Sequence, residues 1–162
     1  GFRTAATSSL AVDCLAPPRP LDVGVIGSGF EAQAHLRALA AVRRVARARV
    51  YSPSPASRAR FVAALGDLAL EIVATDAAPG AVRGADVVLC AARSRDESPT
   101  LRGEWLAPGM TVVSIGSTLP EQREVDEEVV QRADRIVADV VEEVVHETGD
   151  MLAAGRAGVD FG

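Results

Sequence analysis

Gly27, Gly29 and Ala32 stand at G-x-G-x-x-A spacing, directly after the apolar run Val23-Gly24-Val25-Ile26 and directly before a helical pattern. Glycine at the first position permits a tight turn, and glycine at the second leaves no Cβ in the way of an approaching phosphate. The small Ala32 lets the following helix pack closely on the strand. The first turn of that helix has free N–H groups, which attract anions. In a strand–turn–helix context this is a cradle for a dinucleotide pyrophosphate, with Gly27, Ser28, Gly29, Phe30 and Glu31 as the contact residues. The same spacing also occurs in ordinary glycine turns of α/β domains, and the flanking elements decide between the two.

Those elements are regular. Apolar strands are predicted at Asp22–Ile26, Ala48–Tyr51, Glu71–Ala74, Asp86–Ala91, Thr111–Ile115 and Arg135–Ala138. Helical stretches are predicted at Thr4–Leu15, Glu31–Val42, Pro55–Leu65, Pro79–Arg83 and Val125–Arg132. Alternation of strand and helix predicts an α/β fold, a Rossmann-type doubly wound parallel sheet of about six strands with helices on both faces, in the order 3-2-1-4-5-6. Ligands bind such sheets beyond the carboxyl ends of the strands. The loops to watch are therefore Gly27–Glu31, Ser52–Ser57, Ala91–Ser98 and Gly116–Arg123.

The 162 residues suffice for one domain with a single good core. With 48% apolar but only 4% aromatic residues, that core must be built from Ala, Val, Leu and Ile. The net charge of −5 and the lack of a basic block argue against nucleic acid or an anionic membrane as partner. Cys14 and Cys90 have no metal-ligand spacing and read as two buried, reduced thiols of a cytoplasmic protein. No stretch reads as a signal peptide or a membrane span.

The end of the second strand, Tyr51-Ser52-Pro53-Ser54-Pro55, bears on which nucleotide would fit. NAD-binding sites usually carry Asp or Glu there, bonded to the ribose. Such an acid would repel a 2′-phosphate by about 4 kcal/mol at 4 Å and moderate dielectric. Its absence favours NADP(H), with NAD(H) the alternative, and leaves Ser52, Ser54 and Arg58 as candidate phosphate partners. Ser54 and Pro55 also suit the start of the next helix, and Arg58 could equally be a solvated helix residue. Arg43, Arg44, Arg47 and Arg49 read as a solvated, dipole-complementing helix end.

Three further segments resemble the ornithine cyclodeaminase/μ-crystallin family. They are Arg3-Thr4-Ala5-Ala6; Ala85-Asp86-Val87-Val88 with Leu106-Ala107-Pro108-Gly109-Met110; and Ile115-Gly116-Ser117-Thr118-Leu119-Pro120-Glu121-Gln122-Arg123-Glu124-Val125-Asp126. With Gly27–Ala32 they cover about Arg3 to Leu152. The resemblance implies an NAD(P)-dependent oxidoreductase acting on a small amino or imino acid, its nucleotide domain inserted into a substrate and dimerisation domain. Residues 1–20 would then be a connecting helix and linker, 21–154 the dinucleotide-binding domain and 155–162 a frayed tail. A homodimer is expected only with the second domain, and this chain alone is expected to be inactive.

By the same resemblance Arg3 would grip the substrate carboxylate, a task that suits a guanidinium. The nicotinamide end would lie against Val113, Ser114, Ile115 and Gly116. Thr118 occupies the position of the family's acid/base aspartate, and Gln122 falls where cyclodeaminases carry lysine. Threonine is no general base near neutral pH. Both departures favour a reductase of imines or cyclic ketimines, or an amino-acid dehydrogenase. Ornithine cyclodeaminase proper and a non-catalytic μ-crystallin-like binding protein are the alternatives.

Other residues are read more plainly. His35 is expected to pack. His146, with Asp139 and Asp150, reads as part of a solvated acidic helix face rather than a metal site. Trp105 should anchor a short helical turn, and the charges of Arg93–Ser98 should be those of a solvated loop beside the nicotinamide site.

Overall fold

The computed structural model describes residues 1–92 and 98–161. Within them, β1 (Leu21–Ile26) pairs in parallel with β2 (Val45–Tyr51) and with β4 (Val87–Cys90). β3 (Glu71–Ala74) and β5 (Thr111–Ser114) complete a parallel sheet in the order β3-β2-β1-β4-β5. This is the doubly wound order expected, with the reversal between β1 and β4. Strand periodicity splits the core in two. Val23, Val25, Val87 and Leu89 face one cluster with Leu36, Leu39, Phe61 and Leu65. Ile26, Val88 and Cys90 face the other, with Ala81, Val82, Val129 and Ala154.

The helices on the first face are α1 (Phe2–Leu15), α2 (Phe30–Val42) and α3 (Pro55–Ala64). On the second face lie α4 (Ala78–Val82), α5 (Glu127–Gln131) and α7 (Gly149–Arg156), with α6 (Val141–Glu147) beside α7. Local chemistry starts two of them. Ser54 Oγ accepts from Ser57 N–H at 3.2 Å with Pro55 in the first helical turn, and Asp126 accepts from Val129 N–H at 3.2 Å.

Four expectations need correction. Arg135–Ala138 joins no ladder among the described residues, and Ile136 and Val137 stand exposed, leaving β5 as a sheet edge. A strand needs a partner edge, and among the described residues nothing pairs this segment's backbone. β2 begins at Val45 rather than Ala48, so Arg47 and Arg49 are strand residues, Arg47 paired with Asp22 at 3.1 Å. Cys14 is exposed on α1, while Cys90 is buried. Asp150 does not belong to a solvated helix face: it is buried at the start of α7.

Candidate functional site

A cleft of about 560 Å³ opens beyond the carboxyl ends of β1, β2 and β4, at the point where strand order reverses. That volume is in the range of small-molecule sites. Gly27, Ser28 and Gly29 form one wall, Tyr51 and Ser52 a second, and Arg102 and Trp105 a third.

The glycine turn is held by sheet backbone. Gly27 N–H donates to the Tyr51 carbonyl at 2.8 Å, and Ala91 N–H to the Ile26 carbonyl at 2.8 Å. Gly27 has φ +105°, and a Cβ there would come 2.5 Å from the Ala91 carbonyl oxygen. Only glycine fits on both counts. Gly29 caps α2 with open space over its Cα. The first-turn N–H groups of a thirteen-residue helix thus begin at the cleft wall. Phe30 is exposed. Glu31 turns its carbonyl to His35 Nδ1 at 2.8 Å, fixing a buried histidine whose pKa that burial lowers.

Hydroxyls meet where an acid would otherwise stand. Ser28 Oγ donates to Ser52 Oγ at 2.8 Å, tying the glycine turn to the end of β2. Arg58 is buried, and its guanidinium is engaged. It donates to the Ser52 carbonyl at 2.7 Å and to the fully exposed carboxylate of Asp76 at 2.8 Å. Ser54 is engaged as the α3 cap. Of the three expected phosphate partners, only Ser52 lines the cleft, and its hydroxyl is bonded to Ser28. Arg102, exposed and also lining the cleft, has no ion pair among the described residues. Trp105 both packs on the second core cluster and lines the cleft.

Val113, Ser114, Ile115, Gly116 and Thr118 continue from β5 and lie outside the walls of this cleft, as does Arg3 on the exposed first turn of α1. The 114–118 loop rests on carboxylates instead. Glu124, fully buried, accepts at Oε2 from Ile115 N–H at 2.8 Å, Gly116 N–H at 2.6 Å and Ser114 Oγ at 2.9 Å. Asp150 accepts from Glu124 N–H at 2.9 Å and Val125 N–H at 3.2 Å, and pairs with Arg123 Nε at 3.3 Å. Ser117 Oγ donates to the Gln122 carbonyl at 2.8 Å and accepts from Asp150 N–H at 3.2 Å. Burial pushes the Glu124 carboxyl up to about 7, with the Asp150 charge acting in the same sense; burial also raises Asp150. The two positions that depart from the cyclodeaminase pattern touch each other: Thr118 donates from its N–H at 3.1 Å and its Oγ1 at 2.9 Å to Gln122 Oε1.

Glu124, Asp150 and Arg102 had no assigned role in the sequence reading. Acids are normally surface residues, so only the packing shows that two of them face inward. The expected loop contact at Arg93–Ser98 falls, at residues 93–97, outside the described residues.

A doubly wound sheet with a glycine turn, a helix N-terminus and a cleft at its switch point defines a domain of the dinucleotide-binding class. The sequence pattern of the ornithine cyclodeaminase/mu-crystallin family matches residues 1–159, and the chain belongs to that family. A Delta(1)-pyrroline-2-carboxylate/Delta(1)-piperideine-2-carboxylate reductase of Azospirillum brasilense is 37% identical over 95% of this chain and 48% of its own length. The ketimine reductase mu-crystallin of Mus musculus is 29% identical over 94% and 47%. Among solved structures, the Delta(1)-pyrroline-2-carboxylate reductase of Thermococcus litoralis, in complex with NADH and L-proline, matches with a TM-score of 0.90 and 30% identity. That match covers 98% of this chain and 48% of that one. The chain thus spans about half the length of the relatives it matches. No helix among the described residues is long and apolar enough to cross a membrane.

Proposed function

We propose that this chain is the nicotinamide-nucleotide-binding domain of a reductase of cyclic ketimines, or of a related imine reductase or amino-acid dehydrogenase. The observation that carries the reading is the Gly27–Gly29 turn, open over Gly29 and backed by the α2 N-terminus, at the switch point of the sheet. A bound nicotinamide nucleotide would supply hydride chemistry. The chain's own part is binding and orientation. Gly27, Ser28, Gly29, Phe30 and Glu31 would hold the pyrophosphate, and Ser52 the adenosine ribose. Residues 113–116 would support the nicotinamide.

NADP(H) is favoured over NAD(H), because the Ser28–Ser52 hydroxyl pair stands where a carboxylate would repel a 2′-phosphate. Arg58 then acts through Ser52, whose carbonyl it holds, while its charge is met by Asp76. Among the described residues that line the cleft, Arg102 is a cation that could meet a phosphate.

Arg3 would face the substrate carboxylate, and Thr118 would border the substrate. Its hydroxyl is bonded to Gln122 rather than to a basic group, which supports an imine reductase over an ornithine cyclodeaminase. Residues 1–20 would connect to a substrate domain, and that domain would supply the dimer contact. A cytoplasmic location goes with this reading.

Thermal-shift titration of this chain with NADPH and NADH tests the nucleotide reading. The melting temperature should rise with both, and more with NADPH. No shift with either, well above micromolar concentration, would sink it. For the substrate, the protein completed by its second domain should reduce five- and six-membered cyclic imino acids. Ammonia release from ornithine with imines inert would contradict the reading.

A further inference from the structure

In the loop from Ser114 to Thr118, residues 114–116 are held by Glu124, and Ser117 and Thr118 by Gln122. Glu124 lies directly beneath the loop, and a Cβ on Gly116 would collide with the Glu124 carboxyl group. Two successive backbone N–H groups and the Ser114 hydroxyl converge on a single carboxylate oxygen, Oε2. The other, Oε1, is buried with no hydrogen-bond partner. The carboxylate therefore holds the Gly116 N–H inward, and with the Cys90 carbonyl, 3.2 Å from Ile115 N–H, it holds that group inward too, fixing the backbone face left for a ligand. Charge-assisted bonds of this kind are roughly twice as strong as neutral ones.

We propose that Glu124 is a positioning residue for the nicotinamide end of the cofactor: it holds residues 114–116 in the one shape against which the ring can rest. The inference rests on the nucleotide reading given above. The groups facing Glu124 are Asp150 of α7, Arg123 through Asp150, and the Cys90 thiol of β4. Two buried acids with one neighbouring guanidinium keep the Glu124 proton within reach of neutral pH. Oε2 already accepts three bonds, so that proton belongs on Oε1. Ionised Glu124 grips the loop; protonated Glu124 grips it less.

The test compares NADH with ADP-ribose, which carries the same adenosine and pyrophosphate but no nicotinamide ring. Calorimetry on this chain should show NADH bound more tightly. Glu124→Ala should weaken NADH about ten-fold and leave ADP-ribose unchanged. Glu124→Gln keeps the side-chain shape and an accepting oxygen, and guards against a variant that fails to fold. In the unaltered chain the preference for NADH should grow as pH rises through about 7, and in Glu124→Gln it should be flat with pH. Equal loss of both ligands in Glu124→Ala, or the same pH profile in Glu124→Gln as in the unaltered chain, overturns the proposal. If the unaltered chain binds both ligands alike, Glu124 has no such role, but the cleft reading stands. Binding of neither takes down both.

Discussion

Around Gly27 the chain is shaped by backbone and hydroxyl groups, whereas around Gly116 it is shaped by carboxylates removed from water. At the first site Tyr51, Ala91 and Ser52 contribute carbonyls, an amide and a hydroxyl, and the one buried charge, Arg58, is met by an exposed acid. At the second, Glu124 and Asp150 collect amides and hydroxyls from the loop and from the segment before α5, and a guanidinium N–H from Arg123. A neutral frame is indifferent to pH and tolerates polar substitution. A buried acidic frame is strong only while every acceptor is supplied, and it titrates.

Removing the hub should break the contrast most severely. Asp150→Ala strands two buried backbone N–H groups and takes one acceptor from Arg123, which keeps the Val125 carbonyl and Glu127, at a cost of about 4 kcal/mol by denaturant unfolding. The pH dependence comes next. Glu124 titrates near 7 in the folded chain against 4.5 unperturbed, so the folded state holds its proton more tightly. Its contribution to stability is full below about pH 4.5 and is lost as pH rises through about 7, about 3 kcal/mol in all. Asp150, also raised, adds in the same direction. Melting temperature should therefore fall between pH 5 and pH 8, and Glu124→Gln should flatten most of that slope. A slope unchanged in Glu124→Gln would place the titration elsewhere.

At the neutral frame, Gly27→Ala forces a side chain onto φ +105° against the Ala91 carbonyl, costing about 2 kcal/mol with no change in pH slope. Nucleotide affinity should fall with it. The smallest effect on the fold should come from Ser52→Asp. Its effect is on choice: the NADPH-to-NADH affinity ratio should drop at least about ten-fold, since the new charge would face the 2′-phosphate. An unchanged ratio would remove Ser52 from the phosphate site.

The neutral frame was legible in the sequence because its parts are local. A strand built on Val23, Val25 and Ile26, a glycine pair and a small helix residue lie within ten positions, and strand order followed from the alternation of strands with helices. The acidic frame was not. Glu124 and Asp150 lie twenty-six residues apart, and nothing in either neighbourhood distinguishes a buried acid from a solvated one. Arg135–Ala138 failed for the opposite reason: its composition suits a strand, but strand formation depends on a partner edge that local pattern does not report. Arg58 shows a third limit. A basic residue near an expected phosphate site reads as a ligand, yet its guanidinium is engaged by Ser52 and Asp76.

The central claim is that a nicotinamide nucleotide seats its pyrophosphate on the Gly27–Glu31 turn. Amide chemical-shift mapping of this chain during titration with NADPH tests it most directly. The largest changes should fall on Ser28 to Glu31, with smaller ones at Ser52 and in the 114–118 loop. Saturable shifts that spare Ser28–Glu31, or that centre instead on a separate depression lined by Arg19, Asp86 and Met110, would contradict it.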